Sequence, residues 1–191
     1  ALKQTKLRLP SISEGLKLSL FSPNPNSKEI VSSRANFSLR QINNVRGDEQ
    51  SPKWIKERLN NIGLKPINAI VDIANYVMIE QGHPLHAYDA DLIDILIGRK
   101  ANINDFGFRK AKEGEKFLGI DEKEYLLSNN CSVITCADKI IAIAGIIGGK
   151  NCAVNSNTKS IWLEAALFKP EAVRITSREI GVRTESSSRY E

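Results

Sequence analysis

The chain contains two histidines, His83 and His86, and both lie in one short stretch, EQGHPLHAYDAD, on either side of Pro84. Imidazole changes charge near neutral pH and serves as a base, a proton carrier or a metal ligand. Three readings are open: a metal pair, one histidine that orients a water or a substrate group, or two ordinary loop residues. H-x-x-H across a proline is not the helical i, i+4 zinc pair. No third ligand is close by in sequence, so one orienting imidazole is the better chemical reading.

A second candidate is Glu164, an acid inside the apolar run SIWLEAALF. Alternation puts it on one strand face with Trp162 and Ala166. It is either an exposed charge on a sheet face or an acid buried for a purpose. Unpaired burial costs several kcal/mol, roughly, and raises the pKa. A third is AGIIGG, Ala144 to Gly149, where glycines allow a tight turn or the close approach of a ligand. It lacks the G-K-[ST] of a phosphate loop. A fourth is the row Asn68, Asp72 and Asn75, at helical intervals beside an apolar face, which reads first as a hydrogen-bonded structural row. The three cysteines, Cys131, Cys136 and Cys152, are odd in number and lack a C-x2-C knuckle. They read as reduced, buried thiols of a cytosolic protein, without a zinc site.

The elements that must position these residues can be read from periodicity. LKLSLF (Leu16 to Phe21) and NFSLRQI (Asn36 to Ile42) alternate as strands, with FSPNPNSKE (Phe21 to Glu29) as a loop between them. SPKWIKERLNNIG predicts a helix capped by Ser51, with Pro52 first, Trp54, Ile55, Leu59 and Ile62 on one face, and Gly63 ending it. Pro66 to Gly82 predicts a second helix. Beyond the histidines the chain reads as mostly β: a strand over Asp94 to Lys100, a hairpin over Lys116 to Leu127 and another over Ser132 to Ile146 that turns near Asp138. A strand over Ser160 to Phe168 follows, then a helix from Pro170 to Gly181. Helices and strands do not alternate regularly. The expected class is α+β, a layered β-sheet or sandwich core with flanking helices.

The chain has 191 residues, 41% hydrophobic and 26% charged, with a formal net charge of +5. That suffices for a real core and leaves a mild basic bias that fits a nucleic-acid partner without requiring one. The arginines at 174, 178, 183 and 189 are spread, not blocked. IIAIAGII, Ile140 to Ile147, falls well short of the ~18 apolar residues of a membrane span, so no membrane partner is expected. No secretory signal is visible. Ala1 at one end and SSSRYE at the other set the expectation of a piece of a longer protein, with residues 1–35 a polar linker and edge-strand segment and 36–191 the domain.

Together KPINAIVDIANYVMIEQGHPLHAYDAD, AKEGEKFL, IAIAGIIGG, IWLEAALFKPEAV and GVRTESSSRYE, in this order, closely resemble the B3/B4 editing region of the bacterial-type phenylalanyl-tRNA synthetase β subunit. The resemblance covers Asn36 to Glu191 and is weak over the first thirty-five residues. It implies a module of a cytoplasmic α2β2 synthetase, with the α subunit and the acceptor end of tRNA(Phe) as partners. It implies hydrolysis of tyrosine wrongly attached to that tRNA. The module itself would need no cofactor or metal, ATP and magnesium serving the full enzyme. By resemblance Glu164 binds the phenolic hydroxyl, and His86 and Asn75 hold a water near the ester. Gly145, Gly148 and Thr184 belong to the pocket wall. Ala74 stands where relatives often have threonine, and Ser186 where many have alanine. His83 stands where many have glutamine. The alternative is a non-catalytic module that positions tRNA and joins subunits.

Overall fold

The structure is a computed structural model that describes residues 27–31 and 35–191. The expected strand over Leu16 to Phe21 lies outside the described residues. Among the described residues three antiparallel sheets form the β layer. The first runs in the order β1 (Ser27–Val31), β2 (Ala35–Asn43), β10 (Ser160–Phe168), β3 (Leu85–Asp89). The second is β4 (Phe106–Lys110), β7 (Ser132–Cys136), β8 (Lys139–Ile143), β9 (Ile147–Gly148). The third is the hairpin β5 (Glu115–Leu118) and β6 (Glu124–Leu127). Five α-helices flank the sheets among the described residues: α1 (Lys53–Asn61), α2 (Ala69–Gln81), α3 (Ala90–Ile97), α4 (Pro170–Ile180) and α5 (Glu185–Tyr190). The class is α+β, as expected.

β10 is the spine of the first sheet. It pairs with β2 along nine positions and with β3 along five. Trp162, Glu164, Ala166 and Phe168 alternate inward, as a strand with one buried face requires. The two larger sheets meet through aromatic rings: Phe106 of β4 lies 4.8 Å from Trp162, and Phe108 stacks on Phe168 at 6.0 Å, centroid to centroid. Phe37, Leu39, Tyr88, Ile134, Ile141 and Ile143 complete one continuous core.

The expected β2, β10, both hairpins and α4 are present. The β7–β8 turn is made by Ala137 and Asp138, both at positive φ, the geometry that a two-residue hairpin needs. Four expectations are corrected. The strand expected over Asp94 to Lys100 is instead the last turn of α3, which ends at Ile97 with Gly98 as its C-cap, and the segment that follows it. Asp89 caps that helix by accepting from the Leu92 amide at 2.9 Å, and Ala90 and Ile93 face the core one turn apart. The strand itself lies just upstream, through the histidine stretch. Ser27 to Glu29, read as loop, belong to the edge strand β1. Ser51 does not cap α1, whose N-cap is Pro52, and α2 begins at Ala69 with Asn68 as its cap.

Ser51 instead donates to Asp72 Oδ2 at 2.6 Å, while the Ile67 amide donates to Oδ1 at 2.7 Å. Asp72 is fully buried, so the polar row is in part the clamp that joins α1 to α2. The outer face of that pair is more open than expected, with Trp54 50% and Ile62 49% exposed. Asp72→Ala removes an acceptor from two inward-facing donors and should cost about 1–3 kcal/mol, read as a lower urea midpoint. An unchanged midpoint would show that the clamp contributes nothing.

Candidate functional site

Antiparallel register sets Glu164 of β10 directly opposite His86 of β3, and Trp162 opposite Tyr88. Opposed residues share a face, so His86, Tyr88 and Glu164 converge on one spot. The Tyr88 hydroxyl donates to Glu164 Oε2. The His86 ring meets the Tyr88 ring edge-on, at 4.5 Å between centroids. None of the hydrogen bonds among the described residues involves a ring nitrogen of His86, which leaves the imidazole available to a water or a ligand.

Two glycines shape the opposite wall. A Cβ on Gly148 would lie 2.5 Å from His86 Nε2, so the missing side chain is the seat of the imidazole. Gly145 has φ +72°, and a Cβ there would press on Phe168, Tyr190 and Val173 at 3.0–3.1 Å. It makes the turn that brings the second sheet over the cleft. α5 closes the remaining side. Thr184 caps it, accepting from the Ser187 amide at 3.1 Å, and donates to the Ile146 carbonyl at 2.9 Å. That bond ties α5 to the glycine turn. Tyr190, at the end of α5, packs on Phe168 and donates to the Ala166 carbonyl at 2.9 Å.

His86, Gly145, Gly148, Glu164 and Ser186 therefore line one cleft. Thr184 supports it from behind. Ala74 and Asn75 do not line it: Ala74 belongs with Met78 to the packed face of α2, and Asn75 is half-buried one position further round. His83 stands outside, its ring 6.4 Å from that of Tyr190. Tyr88, Phe168 and Tyr190 were missed as cleft residues. The period-two pattern of HAY could have put Tyr88 beside His86, but the stretch reads as a turn.

The cleft holds about 40 Å³, space for roughly three waters. Ligand pockets usually measure about 300–1,000 Å³, so a tyrosyl group enters only if the walls part. Three larger surface grooves lie elsewhere, and the acids in them already have partners: Asp89 with Thr158 in one, Asp138 with Arg109 and Lys112 in the second, and Glu80 with Tyr76 in the third. Among the described residues, no group of three or more His, Cys, Asp or Glu side chains could hold a metal ion.

Burial raises the Glu164 carboxyl to about 7, against the opposing pull of the Tyr88 hydrogen bond. Near neutral pH it can both accept and donate a hydrogen bond. His86 keeps one edge open to the cleft, yet desolvation lowers it to about 4, so the imidazole is neutral at pH 7. A neutral ring has one donor and one acceptor nitrogen and can orient a water.

The fold and this cleft define an α+β domain organised round a buried acid, a neutral histidine and a wall of aromatic rings. The chain belongs to the B3/4 domain family, whose model matches residues 33–191. It is 55% identical, over its whole length, to a phenylalanine–tRNA ligase β subunit of Prochlorococcus marinus, of which it covers 23%. It is 46% identical over its whole length to the corresponding subunit of Prochlorococcus marinus subsp. pastoris, again covering 23%. The chain thus spans about a quarter of the length of these curated relatives. A solved N-terminal fragment of the phenylalanyl-tRNA synthetase β subunit from Pyrococcus horikoshii is similar at 11% identity and a TM-score of 0.44, over 77% of this chain and 45% of that one. No helix among the described residues is long and apolar enough to cross a membrane.

The close seat of the imidazole can be tested directly. Gly148→Ala should push the ring off its seat into solvent, so that its NMR titration midpoint climbs from about 4 toward 6.5. A midpoint that stays low would mean the ring has another place to go. Proton linkage gives a second test. Between about pH 4.5 and 7 folding holds a proton on Glu164 that the unfolded chain has lost, so stability falls as pH rises. His86 acts in the opposite sense between about pH 4 and 6.5. Glu164→Gln removes only the first effect. Relative to the parent chain, the variant should gain stability steadily from pH 4.5 to 7 in urea titrations. A constant difference across that range would contradict the raised carboxyl.

Proposed function

We propose that this chain is the editing module of a phenylalanine–tRNA ligase β subunit, hydrolysing tyrosine wrongly attached to tRNA(Phe). The observation that carries the reading is Glu164: an acid 5% exposed, at the floor of an aromatic-lined cleft, directly across a strand pair from a neutral histidine. A binding site for phenylalanine rejects the added hydroxyl of tyrosine by only about a hundredfold. A second site built to bind that hydroxyl can discriminate by on the order of ten-thousandfold, because phenylalanine leaves its polar group unpaired. Glu164 has the chemistry for that second site.

In this reading His86 orients a water against the ester carbonyl. The water oxygen bonds to the carbonyl carbon, the bond to the ribose oxygen breaks, and the water's proton ends on the departing ribose. Positioning carries most of the catalysis, since the ester is already activated. Asn75 does not line the cleft, so the water is assigned to His86. Thr184 acts by holding α5 in place. Arg174, Arg178, Arg183 and Arg189 are exposed on α4, α5 and their connection, next to the cleft wall, and suit contact with the tRNA backbone. The α subunit, the cytoplasmic setting, and ATP and magnesium for the charging reaction belong to the same proposal; the module needs no cofactor of its own.

The small volume of the cleft favours a second reading, a non-catalytic module that positions tRNA and joins subunits. One assay separates the two: deacylation of Tyr-tRNA(Phe) and Phe-tRNA(Phe) by the full α2β2 enzyme. Editing predicts selective loss of tyrosine. Glu164→Ala should abolish the selectivity while leaving phenylalanine charging nearly intact. His86→Ala should slow the reaction roughly ten- to a thousandfold, and His83→Gln should change little. An enzyme that spares Tyr-tRNA(Phe) leaves the non-catalytic reading.

A further inference from the structure

Three acids are buried among the described residues: Asp72, Asp89 and Glu164. Two have both carboxylate oxygens occupied. Asp72 receives Ser51 and the Ile67 amide, and Asp89 receives the Leu92 amide and the Thr158 hydroxyl. Glu164 receives a single donor, Tyr88, on Oε2. The one buried side-chain polar atom without a partner among the described residues is Ser132 Oγ. Oε1 of Glu164 is therefore not sealed in, and its access is through the cleft.

We infer that Tyr88 is a positioning residue for phenol recognition: its hydroxyl holds one oxygen of Glu164 and turns the other toward the cleft. The inference rests on the editing reading and deepens it. An unrestrained carboxyl could rotate, or bond through either oxygen, and would receive an incoming phenol in several directions. Tyr88 removes that freedom. Its ring is rigid, fully buried and packed against His86. The device thus couples the acid of β10 to the histidine of β3 across the strand pair. It also keeps a second phenol beside the acid, so the site already contains the hydrogen bond that a tyrosyl ligand must add on the other oxygen.

The groups facing Glu164 are His86 and Tyr88 from β3, Leu39 from β2 and the Tyr190 ring from α5. Against the desolvation that raises the carboxyl, the Tyr88 hydrogen bond is the opposing influence. Removing the hydroxyl should therefore free the carboxyl and make it harder to ionise.

The test is Tyr88→Phe in the full α2β2 enzyme, with melting temperature as a check on the fold. Two quantities are read. The first is the Glu164 titration midpoint, followed by carboxyl NMR in parent and variant. It should rise in the variant. The second is the ratio of kcat/KM for Tyr-tRNA(Phe) over Phe-tRNA(Phe). It should fall about tenfold, the scale of one lost hydrogen bond to a charged group, and should recover in part at higher pH. A merely structural tyrosine would lower the melting temperature and leave the pH profile in place. An unchanged midpoint overturns the inference whether or not the enzyme edits. A raised midpoint with an unchanged ratio overturns the role in recognition. An enzyme that does not deacylate Tyr-tRNA(Phe) at all defeats the editing reading, and with it the role in recognition, even where the midpoint rises.

Discussion

The pairing of β10 with β3 is the constraint on which the site depends. It is a five-position antiparallel ladder, and its register decides which side chains meet. A slip of one residue would turn Glu164 away from His86 and carry Trp162 out of the core. The register is held by what it buries: Trp162 against Phe106, Phe168 against Phe108, and Tyr88 with no exposure at all. The hydrophobic core thus sets the geometry of the polar groups embedded in it.

The acids show how the chain manages buried charge. Asp72 and Asp89 sit at a helix junction and a helix cap, where backbone amides and hydroxyls are at hand, and each is saturated with donors. Glu164 sits mid-strand, where the backbone donors are already used by the ladder. Only a side chain can reach it, and Tyr88 is the one that does. A carboxyl left half-served in an apolar setting is costly to keep charged. That cost raises its pKa to about 7.

The cleft is closed by elements distant in sequence. The Gly145 turn belongs to the second sheet, Gly148 lies on β9, and α5 comes from the end of the chain. Thr184 joins two of these walls with one hydrogen bond to the Ile146 carbonyl. α5 has six residues and little helical stability of its own, so this cap and the packing of Tyr190 hold it.

Local signals carried much of the fold. Alternation in NFSLRQI and SIWLEAALF marked β2 and β10, and Pro170 and Gly181 bracketed α4, because these patterns depend on neighbours along the chain. The apolar run after His86 was misread because a short helix and a short strand look alike there; the Asp89 cap and the packing of Ala90 and Ile93 made the choice. His86 and Glu164 stood out in the sequence by residue type alone. That they face one another, that Gly148 is the seat of the imidazole and that Tyr88 occupies half of the acid could not be read there. Those facts depend on strand register and on contacts between residues 62 to 78 positions apart, which only the folded chain brings within reach of a hydrogen bond.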